Sequence, residues 1–120
     1  MMTVNALSAG TLTGDNVRNR AGEDLGTVEE IMIDLDRGQI AYVVMAAGGF
    51  LGIGDKYFAI PWSLLEVDTD SHDVIVDLDK ETIENAPGFD KDNWPDPSDV
   101  GWLNRVYAYH RVEPYWADRS

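Results

Sequence analysis

The run Gln39–Ala47, QIAYVVMAA, constrains the fold more than any other stretch of the chain. It is apolar at odd and even positions alike, so a strand built from it needs cover on both faces and belongs in the middle of a sheet. Asp36-Arg37-Gly38, just before it, is a tight-turn signal. Upstream, in LGTVEEIMIDL, Leu25, Ile31, Ile33 and Leu35 share one parity while Val28 and Met32 fall on the other. A strand of mixed facing, bulged near Glu29–Glu30, is the simplest arrangement that fits.

Short β-segments continue on either side. NVRNRAGEDLG places a strand, a turn at Gly22 and the start of a second strand. Pro61 cannot donate to a ladder, so the strand in YFAIPW must end, bend or lie at an edge there. Thr69–Asp73 reads as a turn, and VIVDLD follows with Val74, Val76 and Leu78 inward and Asp77 outward. The count is five to six strands at close spacing, which predicts a mainly β fold: a small closed or partly open β-barrel. Asp79 is a suitable N-cap for a short helix stopped by Pro87–Gly88. GFDKDNWPDPSD reads as loop, with Pro97 placed where a first helical turn tolerates it. Val100, Leu103, Val106 and Tyr107 then make a helical stripe. The expected organisation is a flexible leader over 1–10, a barrel over 11–79, and a helical, aromatic-rich C-terminal extension over 80–120 that packs on the barrel.

Composition bounds the function. Twenty-two acidic against nine basic residues give a net charge of −13, which repels phosphate backbones and anionic lipid. Nucleic-acid binding is therefore disfavoured. A basic or cationic partner suits this charge, and so does a solvated surface adapted to salt. No window approaches the ~20 apolar residues of a membrane helix, so no membrane insertion is expected. The N-terminal residues lack the basic start and apolar centre of a signal peptide, which makes the cytoplasm the expected compartment. There is no cysteine, which removes disulfides and thiolate metal sites.

Four kinds of chemistry bear on the remaining motifs. In GGFLGIGDKYFAIPW, Gly49, Gly52 and Gly54 give the reverse of a dinucleotide-binding spacing and a strand follows, so no helix N-terminus faces a phosphate. The glycines fit a wide hairpin. Phe50, Leu51 and Ile53 at its tip either fold back on the barrel or form a contact surface. Asp68, Asp70 and Asp73 resemble a calcium loop, but His72 and Asp73 occupy positions five and six, where such a loop needs Asp or Asn and then Gly. No metal and no cofactor is assigned. No serine or threonine sits in a nucleophile-elbow pattern, and His110, at a helix end, reads as a surface or capping residue; no enzyme is expected. Among the aromatics, Trp62 and Trp102 read as staples between the extension and the barrel. Tyr115 and Trp116, after Pro114, read as interface residues.

Three blocks together resemble the PRC-barrel family, the domain type of the cytoplasmic part of the photosynthetic reaction centre H subunit and of a ribosome-maturation factor. They are G-x-x-V-x-N-x-x-G-E-D-L-G-x-V, I-D-L-x-x-G-x-I-A-Y-V-V, and GGFLGIGDKYFAIPW, covering Leu12 to Leu78. The C-terminal NAPGFDKDNWPD and PYW are similar to the tail of small stand-alone bacterial members, some associated with stress. The resemblance implies a non-catalytic scaffold or protein-interaction module, with no active site to carry over. The expected contacts are Phe50, Leu51, Ile53, Tyr115 and Trp116, the expected assembly is a homodimer, and the alternative is a barrel that binds a small ligand or cation.

Overall fold

The computed structural model describes residues 6–47, 56–96 and 98–117. Seven strands form one sheet: β1 (Asn16–Asn19), β2 (Asp24–Asp34), β3 (Gln39–Ala47), β4 (Lys56–Ile60), β5 (Leu65–Asp68), β6 (Asp73–Val76) and β7 (Gly88–Asp90). Three helices accompany them among the described residues: α1 (Ala9–Leu12), α2 (Lys80–Glu84) and α3 (Val100–Tyr109), with a 3-10 turn at Trp62–Leu64. The strand order is β5-β6-β1-β2-β3-β4-β7. All neighbours are antiparallel except β1 and β6, which run parallel.

One expectation changes. The described sheet has seven strands rather than five or six; of the two forms expected, closed or partly open, it is not closed, with β5 and β7 as outer strands. The additional strand, β7, comes from Gly88-Phe89-Asp90, within the stretch expected to be loop. Three residues carry no alternation to read, and pairing with Lys56, Tyr57 and Phe58 of β4 is what makes them a strand. Helix α1 crosses the expected leader boundary at Gly10, and its Leu12 is buried.

The facing of β2 is set by irregularities in its ladders. Val28 pairs with Met45 and Glu30 with Val44, so Glu29 is an extra residue, a bulge where the sequence led us to expect one. Leu25 is extra between Gly26 and Asp24 opposite β1, and Ala41 is extra on β3 opposite Met32 and Ile33. Each extra residue reverses the side to which the following side chains point. Leu25, Val28 and Ile31, three apart rather than two, therefore all face the same core. Simple parity had put Val28 on the opposite face.

The sheet curves around that core, where Val17, Leu25, Val28, Val43, Phe58 and Val76 meet under Ile83 of α2. The other face of β3 and β4 carries a second core: Ala41, Tyr42, Val44 and Ala59 pack with Phe89 of β7 and Val106 and Tyr107 of α3. Both faces of β3 are thus covered, by different layers. The helix is held at its start by Asp99, whose carboxylate accepts from the Trp102 N–H at 3.0 Å. Trp102 meets Tyr42 and Phe89 edge-on, with ring centroids 5.5 and 5.9 Å apart. This is the stapling expected of it. Trp62 instead packs against the first core.

Candidate functional site

The β2–β3 hairpin ends in a turn built by one carboxylate. Asp34 Oδ1 accepts from the backbone N–H groups of Asp36 and Arg37 at 3.0 and 3.1 Å. Gly38, at φ 65°, supplies the left-handed residue that completes the turn. The other oxygen, Oδ2, accepts from Tyr115 Oη at 2.7 Å and pairs with Arg37 Nη1 at 3.3 Å. These contacts, led by the tyrosine hydrogen bond, hold the Asp34 carboxyl below the usual carboxylate range. Burial, and then the same bond, push the Tyr115 phenol well above its usual value.

The C-terminal segment is fixed by ring packing. Tyr115 and Trp116 lie with centroids 6.1 and 4.9 Å from Tyr107 and 5.0 Å from each other. Both are half-buried. Tyr107 in turn donates from its hydroxyl to the carbonyl of the bulged Ala41 at 2.7 Å.

Hairpin tip, helix start and C-terminal segment enclose a cleft of about 550 Å³. Tyr42, Leu103, Tyr115 and Trp116 are among its walls. At its rim stand Ile33, Leu35 and Val100, which are 55%, 89% and 58% exposed. Large side chains so exposed and so close together mark a contact surface better than scattered ones do. The rim also carries Asp34, Asp36 and Asp99 against a single cation, Arg37.

Tyr115 and Trp116, two of the five expected contact residues, thus belong to one cleft. Phe50, Leu51 and Ile53 lie outside the described residues. Ile33, Leu35 and Val100 are not among the expected contacts: Ile33 and Leu35 share the parity of Leu25 and Ile31, and Val100 belongs to the helical stripe. The acids of Asp68–Asp73 have structural work. Asp68 accepts from the N–H groups of Asp70 and Ser71 at 3.0 and 3.3 Å, and Asp73 pairs with Arg18 at 3.3 Å. No group of three metal-ligating side chains occurs among the described residues. His110 occupies the C-cap of α3, but it is buried rather than on the surface, and neither ring nitrogen has a hydrogen-bond partner among the described residues. Of the two readings, surface or capping residue, the cap position holds and the surface position does not, because the last turn of α3 lies against the molecule.

An open, curved seven-stranded sheet, covered on its outer face by a C-terminal helix that borders an acid-rimmed cleft, defines a small, mainly β domain. The sequence profile of the PRC-barrel domain matches residues 5–83, and the chain belongs to that family. The PRC-barrel is a non-enzymatic domain type. No curated protein sequence matches the chain. Among solved structures, a crystal structure of a 16S ribosomal RNA processing protein, RimM, from Pseudomonas aeruginosa is similar, with 15% identity and a TM-score of 0.48. The alignment covers 65% of this chain and 47% of that one, so the chain spans about half the length of that protein. No helix among the described residues is long and apolar enough to cross a membrane.

Proposed function

We propose that this chain is a non-catalytic protein-interaction module that engages its partner through the cleft between the β2–β3 hairpin and the start of α3. The observation that carries the reading is the rim. Leu35, at the tip of a hairpin whose backbone is pinned by Asp34, is 89% exposed beside the more than half-exposed Ile33 and Val100. An apolar side chain held in water on a rigid turn costs no reorganisation when a partner covers it. Tyr115 and Trp116 supply half-buried aromatic surface behind it. Phe50, Leu51 and Ile53 are proposed as a second contact, used for self-association.

A photo-crosslinking residue placed at position 35 or 100 in living cells should trap a protein adduct, while the same residue at Asp70, in the β5–β6 turn, should not. Absence of adducts from positions 35 and 100, or equal trapping from all three, overturns the reading. Self-association is read separately, by light scattering of the pure protein. A dimer that the pair Phe50→Ser and Leu51→Ser dissociates supports the second contact, and a monomeric wild type removes it.

A specific hollow favours one other reading, small-ligand binding. Leu12, Ile31, Ile40, Trp62, Leu65 and Val67 line a space of about 400 Å³ at the edge of the first core. That volume suits a small apolar molecule. A thermal-shift screen of apolar compounds tests it, because binding only to the folded state raises Tm.

A further inference from the structure

We infer that the cleft between the β2–β3 hairpin and α3 receives a basic amphipathic segment of a partner protein, one apolar side chain flanked by arginine or lysine. The inference rests on the interaction-module reading and goes further by giving the partner's chemistry. The cleft combines two features that a single occupant must satisfy. Its exposed apolar rim, Ile33, Leu35 and Val100, takes a hydrophobic side chain out of water. Its charge is one-sided: Asp34, Asp36 and Asp99 against Arg37.

These charges are not equivalent. Asp34 already accepts from two N–H groups, from Tyr115 and from Arg37, so both the acid and the one cation are committed to each other. Asp99 uses Oδ1 to cap α3 and keeps its second oxygen for another donor. Among the described residues, Asp36 accepts no side-chain hydrogen bond and forms no ion pair. The charge left for recognition is therefore that of Asp36 and Asp99. Trp116, half-buried on the wall, adds an aromatic ring of the kind that attracts a guanidinium.

The same features argue against other occupants. A nucleic acid or an acidic peptide meets like charge at the rim and a net charge of −13 behind it. A second copy of the chain brings the same acidic surface, with nine basic residues to offset twenty-two acidic ones. A basic segment meets complementary charge on approach and apolar cover on arrival, the first setting encounter rate and the second residence.

The test selects from a display library of random twelve-residue peptides on the full chain, then measures the enriched peptides by fluorescence polarisation. The expected consensus has an apolar residue between arginines or lysines, and its binding weakens as salt is raised. Asp36→Asn with Asp99→Asn, which keeps a capping side chain at the helix start, should cut affinity by about tenfold or more, with a flatter salt dependence. Leu35→Ser with Val100→Ser should do the same at unchanged salt dependence. Both rim residues are exposed, and circular dichroism will show the fold retained. No enrichment, an acidic or uncharged consensus, or binding unaffected by either pair overturns the inference. A dimer in light scattering that Leu35→Ser with Val100→Ser abolishes also overturns it, because a second copy then fills the cleft. If adducts form in cells at positions 35 and 100 while the library yields no basic consensus, the module reading stands and the basic partner falls. If neither occurs, both fall.

Discussion

The hydroxyl of Tyr115 donates to Asp34 Oδ2 at 2.7 Å, joining two residues 81 positions apart. The bond connects the end of the chain to the turn of the β2–β3 hairpin, and so sets one wall of the cleft against another. It also favours the charged form of the Asp34 carboxyl. The hydrogen bond is the largest influence holding the carboxyl below 3.8, and desolvation opposes it.

Tyr115→Phe should therefore lower Tm by a few degrees at neutral pH. The sign with pH follows from the depressed carboxyl. Its stabilisation is present above 3.8 and is lost as pH falls through the lower folded-state value. The wild-type and variant stability curves should then converge in acid. A constant gap at every pH would mean that the bond does not set the Asp34 charge.

Tyr107→Phe probes the next contact inward. Ala41 is the extra residue of a bulge, and the buried Tyr107 hydroxyl satisfies its carbonyl. Burial also pushes the Tyr107 phenol up to about 12. Removing the donor leaves a buried carbonyl without this partner and should cost about 1–3 kcal/mol in urea unfolding. A change below ~0.5 kcal/mol would show that the carbonyl finds another partner.

Much of the fold is legible in local pattern, and the exceptions share a cause. The two-faced cover of β3, the strand end at Pro61, the inward Val74 and Val76, and the α2 cap at Asp79 are each fixed by a few adjacent residues. The Asp79 carboxylate accepts from Thr82 N–H at 2.7 Å. The cleft is different. Leu35 and Val100 are 65 positions apart by their numbers, and only the packing of α3 on the outer face of β3 brings them together. Nothing local marks them: the bulge at Glu29 breaks the parity that Leu35 shares with Leu25. The strand β7 was illegible for a similar reason, since its identity comes from β4.

Gly88→Ala tests that dependence of β7 on β4. A β-carbon at position 88 would stand 2.8 Å from a Phe58 ring carbon and 2.8 Å from the Tyr57 carbonyl oxygen. The backbone oxygen cannot swing aside as a side chain could. The substitution should destabilise by about 1–3 kcal/mol, as overpacking does. Amide exchange should quicken at Gly88–Asp90 and along β4 before it does so in β2. Full stability in the alanine variant would mean that β7 sits farther from β4 than the register indicates.

His110 is buried at the C-cap of α3. It is 9% exposed, its two ring nitrogens lack partners among the described residues, and Tyr109 meets it edge-on with centroids 5.0 Å apart. Desolvation holds its pKa below the ordinary 6.5. The unfolded chain therefore takes up the proton first, so the stability associated with neutral His110 is present above 6.5 and is lost as pH falls through the folded value. Asp34, Asp68, Asp79 and Asp96 are all held below 3.8, so their losses begin at lower pH. His110→Leu, similar in bulk and without polar atoms, should be at least as stable as the wild type at neutral pH. It should also flatten the decline in Tm between 6.5 and 3.8. An unchanged decline in the leucine variant would assign the acid sensitivity to other groups, and a large loss at neutral pH would show that the imidazole is hydrogen-bonded in solution after all.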